Sequence, residues 1–165
     1  SFSARMEYCL QTWRPRQAAR VSRLTSDATM GGKMQITVNY MAVAIAAIAG
    51  FLVGWGWYVV FGKVWMAALG KTQKDCKPTP MPFIIAGVSC LIMAWMLAGL
   101  MGHLSDITVR GGIISALFVW LGFVVTTTGT NQAFHGDKPV VTAIDTGHWL
   151  AVLVVMGAII GAFGA

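Results

Sequence analysis

The sequence predicts an all-α integral membrane protein: four transmembrane helices in an antiparallel bundle, preceded by a basic N-terminal extension. Three observations predict it. Apolar residues make up 56% of the 165 residues and charged residues 11%, where a soluble domain carries about 25% charged. The apolar residues gather in runs of about twenty, enough to cross ~30 Å of hydrocarbon at ~1.5 Å per helical residue. The chain also holds 19 Gly, which would weaken soluble helices but suit helices packed closely in lipid.

Two segments follow from the charge distribution. Residues 1–33 are a basic polar N-terminal extension, and residues 34–165 are the four-helix transmembrane domain. The extension carries five Arg and Lys33 against Glu7 and Asp27. Arg- and Ser-rich, acid-poor composition is that of organelle-targeting sequence. The alternative is a native start at Met30 or Met34. Arg5, Arg14, Arg16, Arg20, Arg23 and Lys33 precede the first apolar run, and Lys63, Lys71, Lys74 and Lys77 follow it. Basic clusters beside spans meet anionic lipid headgroups or set orientation. Nucleic acid is excluded as a partner, because no soluble domain presents the charge. The charge rule leaves orientation open, since the answer turns on whether residues 1–33 are counted.

The first span is expected over residues 36–61, with "GWGWYVVFGKVW" at its far end and, as the longer reading, an interfacial continuation of the helix past Lys63 to Gly70. Trp57, Tyr58, Lys63 and Trp65 read as interface anchors, amphipathic side chains that suit the lipid–water boundary. A loop with three prolines, "KTQKDCKPTPMP", ends this region. The second span is expected over 83–104 and the third over 107–128, joined by a short connection that makes them neighbours. The third span ends in a polar run, "TTTGTNQAFHGDKP", read as a cap and loop, with the lining of a wet cavity by Thr126 to Asn131 and hydroxyl bonds back to the helix carbonyls as the alternatives. The fourth is expected over 142–163.

Small residues mark the packing seams. Gly50 and Gly54 lie four apart in span one, and Gly157 and Gly161 repeat the spacing in span four. Ala94 with Ala98, and Gly112 with Ala116, do the same in spans two and three. Such residues allow close backbone approach, either within the chain or toward a partner subunit.

Ionisable side chains at membrane depth are candidates for function. Asp145 and His148 share a helix face, and with Asn131 they form the candidate polar membrane site. The pair suits proton transfer or metal orientation. The competing reading is structural: an Asp near a helix N-terminus caps it. His103, His135 and His148 lack the regular spacing of a metal or haem site. Cys9, Cys76 and Cys90 show no ligand or redox spacing. No catalytic motif, cofactor or metal is expected; bound phospholipid is plausible on the basic flanks.

Gly54, Trp57, Tyr58, Phe61, Gly62, Lys63, Trp65 and Gly70 form an aromatic-glycine pattern. Residues 119–163, "VWLGFVVTTTGTNQAFHGDKPVVTAIDTGHWLAVLVVMGAIIGAF", add a Leu-Gly-Phe element, a Phe-x-Gly loop and a Gly-rich final helix. Together they resemble the membrane family catalogued as domain of unknown function 1761, over roughly Asn39 to Phe163. The resemblance implies four membrane helices and no reaction, so no catalytic residue carries over.

These observations lead to two functional expectations. The first is a non-catalytic accessory subunit of a larger membrane complex, with other membrane subunits and anionic lipid as partners. Residues 1–33 favour the mitochondrial inner membrane and a respiratory-chain assembly over a bacterial plasma membrane. The alternative is a small-solute channel or transporter acting as a homo-oligomer, with Asn131, Asp145 and His148 lining the path.

Overall fold

The computed structural model describes residues 38–72 and 79–164. Residues 1–33, and with them the basic extension, lie outside the described residues. The elements are α1 (Tyr40–Ala68), α2 (Met81–His103), α3 (Val109–Val119), a π-helical segment (Trp120–Val125), α4 (Thr126–His135) and α5 (Pro139–Phe163). The segment Val109–His135 is continuous and forms one span, so four helices are long and apolar enough to cross a membrane. No strand occurs among the described residues. This is an integral membrane protein.

Local sequence explains where the helices begin and end. Asn39 starts α1 by accepting the Ala42 amide at 3.1 Å. Thr108 starts α3 by accepting the Gly111 amide at 2.9 Å. Both satisfy amides that a helix N-terminus leaves unpaired. Pro82 and Pro139 stand in the first turns of α2 and α5, where their missing N–H costs nothing. Gly136 ends α4 at φ +74°, a left-handed conformation that glycine adopts without steric penalty.

Two boundaries depart most from the sequence expectation. α1 itself continues past Lys63 to Ala68, as the longer reading of span one expects, and is about 44 Å long at ~1.5 Å per residue. The run "TTTGTNQAFH" is helical rather than a loop. Its hydroxyls explain why: Thr126 donates to the Gly122 carbonyl at 2.8 Å, and Thr127 donates to that of Phe123. Back-bonded threonines hide their polarity inside the helix where the π segment changes the pitch. α5 begins at Pro139, three residues before the expected start at 142.

α5 is the hub of the bundle. It packs most extensively against α1 and α3, while α2 packs mainly on α1. Spans two and three touch more lightly than their short connection suggested, because α5 takes most of the α3 contact. The core combines small residues with long flexible ones. Ala46, Ala94, Ala116, Met101 and Met156 have no exposed surface. Methionine fills irregular gaps between helices that alanine and glycine bring close. Large apolar side chains such as Phe118, Phe123 and Ile48 face outward, as the surrounding hydrocarbon requires.

All four seam glycines pack inside the chain. A Cβ at Gly157 would lie 2.3 Å from the Gly112 carbonyl oxygen, and one at Gly161 would lie 2.2 Å from that of Thr108. Gly50 faces Met156 and Val152, and Gly54 faces His148. Close van der Waals contact of this kind holds helices together where lipid supplies no hydrophobic drive.

Candidate functional site

A cavity of about 830 Å³ opens among the spans, lined chiefly by α1, α2 and α5, with Thr128 reaching it from α4. Its walls are largely apolar and aromatic. Its polar end is built by Tyr58, Asp145 and His148.

Asp145 anchors that end. Its Oδ1 accepts the Tyr58 hydroxyl at 2.7 Å, and its Oδ2 accepts the Gln132 amide nitrogen at 2.6 Å. The two donors come from α1 and α4, so the carboxylate ties three spans together. Because α5 starts at Pro139, Asp145 lies about 9 Å along the helix at ~1.5 Å per residue. It therefore does not cap the first turn, as the structural reading of the sequence supposed. Its partners are side chains of other spans.

His148 lies one turn further along α5, 8% exposed. Its ring stands 5.1 Å from Tyr58 and 4.6 Å from Trp149, centroid to centroid. Gly54 makes room for it: a Cβ there would sit 2.6 Å from His148 Nε2. Nδ1 of His148, Oε1 of Gln132 and Nε1 of Trp65 are buried without a hydrogen-bond partner. Buried polar atoms are satisfied in the great majority of cases; Trp65 and His148 line the cavity and Gln132 does not.

The three residues of the sequence-predicted polar site divide two and one. Asp145 and His148 both line the cavity. Asn131 does not; it is exposed on α4, and its neighbour Gln132 bonds Asp145. The π segment accounts for the change. Eleven residues make three α-helical turns at ~3.6 residues each, so an unbroken helix would carry Asn131 to the face of Trp120. Trp120 faces α5, donating its indole N–H to the Thr146 carbonyl at 2.7 Å. The wider π turn takes up about one extra residue and brings Gln132 round instead.

The expected interface anchors also need correction. Trp57 donates its indole N–H to the Ile144 carbonyl at 3.1 Å, and Tyr58 bonds Asp145. Both are turned inward to α5 rather than outward to headgroups. Trp65 is half-buried and packs edge-on to Tyr58, with ring centroids 5.7 Å apart. Lys63 is exposed. Among the described residues no group of three or more His, Cys, Asp or Glu is placed to hold a metal ion.

The comparisons agree with this architecture. Residues 41–161 match the family described as "Protein of unknown function (DUF1761)". The chain belongs to that family. The match spans all four membrane helices, including Gly54, Tyr58, Gln132, Asp145 and His148. No curated protein and no solved structure matches the chain.

Proposed function

We propose that this protein binds a small amphipathic solute, taken from the membrane, in the cavity among α1, α2 and α5. This is the small-solute class raised as the alternative from the sequence. One observation carries it: a roomy, largely apolar and aromatic cavity ends in a hydrogen-bonded carboxyl group and an imidazole. Sites for small ligands have this composition, apolar walls with a few placed polar groups. An accessory subunit that only adds contact area needs no such interior. A transport pathway from four spans calls for symmetry, so translocation would run through a homo-oligomer.

Binding of a neutral, environment-sensitive dye such as 1-aminoanthracene to the chain in nanodiscs tests this reading. Saturable binding that weakens in Ala86→Trp and Ser89→Trp is expected, because both positions line the cavity. Non-saturable partitioning, equal in the variants and in empty nanodiscs, would refute it.

The accessory-subunit reading is supported by the Arg-rich, acid-poor composition of residues 1–33. The same composition supports a mitochondrial inner-membrane location. A native gel of gently solubilised source membranes tests both. Co-migration with a complex of several subunits favours the accessory role, and a small homo-oligomer counts against it.

A further inference from the structure

We infer that the solute is a lipophilic organic cation, held by the Asp145 carboxylate and the aromatic walls above it. The inference rests on the reading of the cavity as a solute site, and it names the chemistry of the occupant.

Charge is the first argument. Both oxygens of Asp145 accept hydrogen bonds, and both donors are neutral. No Lys or Arg among the described residues forms an ion pair with it; Lys63, the basic residue within α1, is exposed. A carboxylate at membrane depth is costly and is normally paired. Asp145 lines the cavity, so a cation held there would supply the counter-charge that the described residues do not.

The second argument is the wall. Phe51, Trp55, Tyr58, Trp65, Phe83 and Trp149 line the same space. Aromatic faces attract cations through their quadrupole, most strongly where water is excluded, and cages of such rings are the usual receptors for organic ammonium groups. An anionic solute would meet the Asp145 charge directly. A neutral solute would leave that charge unpaired.

Size is the third argument. Size separates an organic cation from a bare ion: about 830 Å³ is far more than a metal ion and its first waters occupy.

The test uses three probes of nearly one shape and different charge: tetraphenylphosphonium, triphenylphosphine oxide and tetraphenylborate. Equilibrium binding to the full chain in nanodiscs is measured against empty nanodiscs. Saturable tetraphenylphosphonium binding, at least about tenfold tighter than either other probe, is expected. Asp145→Asn should weaken it by about tenfold or more, while Asp106→Asn, in the exposed turn before α3, should leave it unchanged. If the neutral oxide binds saturably and as tightly as the cation, the charge inference fails and the solute-site reading stands. If none of the three binds saturably, both fail. Cation binding that survives intact in Asp145→Asn overturns the role given to the carboxylate. The charge preference of the unaltered chain decides the matter even if Asp145→Asn does not fold.

Discussion

Replacing Gly157 with Ala probes the seam that fixes α5, and with it the site, against α3. The added Cβ would sit 2.3 Å from the Gly112 carbonyl oxygen, where ordinary contact begins at 3.4 Å. The helices must therefore part by about 1.1 Å, the difference of those two distances. The obstacle is backbone, so no side chain can swing away. A gap of ~0.5–1 Å already forfeits a quarter to a half of the dispersion attraction between facing atoms. Overpacking of this kind costs ~1–3 kcal/mol, and rigid backbone on both sides puts it near the upper end. Alanine's better helix propensity returns ~1 kcal/mol. The net loss is about 2 kcal/mol. Gly99→Ala is the control, because nothing lies within 4 Å of its added Cβ; it should be neutral or stabilising by up to ~1 kcal/mol. Unfolding by SDS titration in mixed micelles, followed by far-UV circular dichroism, gives both values. Equal midpoints for Gly157→Ala and Gly99→Ala would refute the close approach of α3 and α5.

Three further substitutions have defined outcomes. Tyr58→Phe removes one of the two donors to Asp145 and should cost ~1.5–3 kcal/mol, the range for a hydrogen bond to a charged group, in the same titration. Trp120→Phe removes the indole bond to the Thr146 carbonyl and should cost ~1 kcal/mol, since the ring's packing is largely kept. Gly54→Ala pushes on His148 Nε2, a side chain that can move. It should destabilise less than Gly157→Ala yet weaken dye binding in the cavity, which the dye titration reads directly.

The parts of the fold that were legible in the sequence rest on local physics. Four apolar runs of span length could be read because lipid demands them, and the glycine spacings in spans one and four because close helix packing requires small residues. What was not legible depends on where helices stop and how they turn. Trp57 and Tyr58 looked like a membrane-interface belt because aromatic rings gather near the far end of span one; it is α5 that turns them inward, through the Ile144 carbonyl and the Asp145 side chain that they bond. Thr126 and Thr127 read as a cap or as back-bonded to their own helix, and they bond their own helix. Asp145 and His148 were found through one rule, that ionisable side chains at membrane depth are exceptional. Gln132 was missed in favour of Asn131 because the π segment shifts the helix face by about one residue. No periodicity in "TTTGTNQAFH" announces that shift.

The partners of Asp145 set a further condition on function. A carboxylate held from two other spans reports on their spacing, so filling or emptying the cavity would be felt by α1, α4 and α5 together. This follows from geometry: Tyr58 and Gln132 bond the same side chain from different helices.

Native mass spectrometry of the chain, released from nanodiscs prepared directly from source membranes, tests the central claim most directly. The account predicts one small-molecule adduct per chain on the unaltered protein, absent from Ala86→Trp, whose indole would occupy the cavity. A bare chain, or phospholipid adducts alone in equal amounts on both proteins, would contradict it.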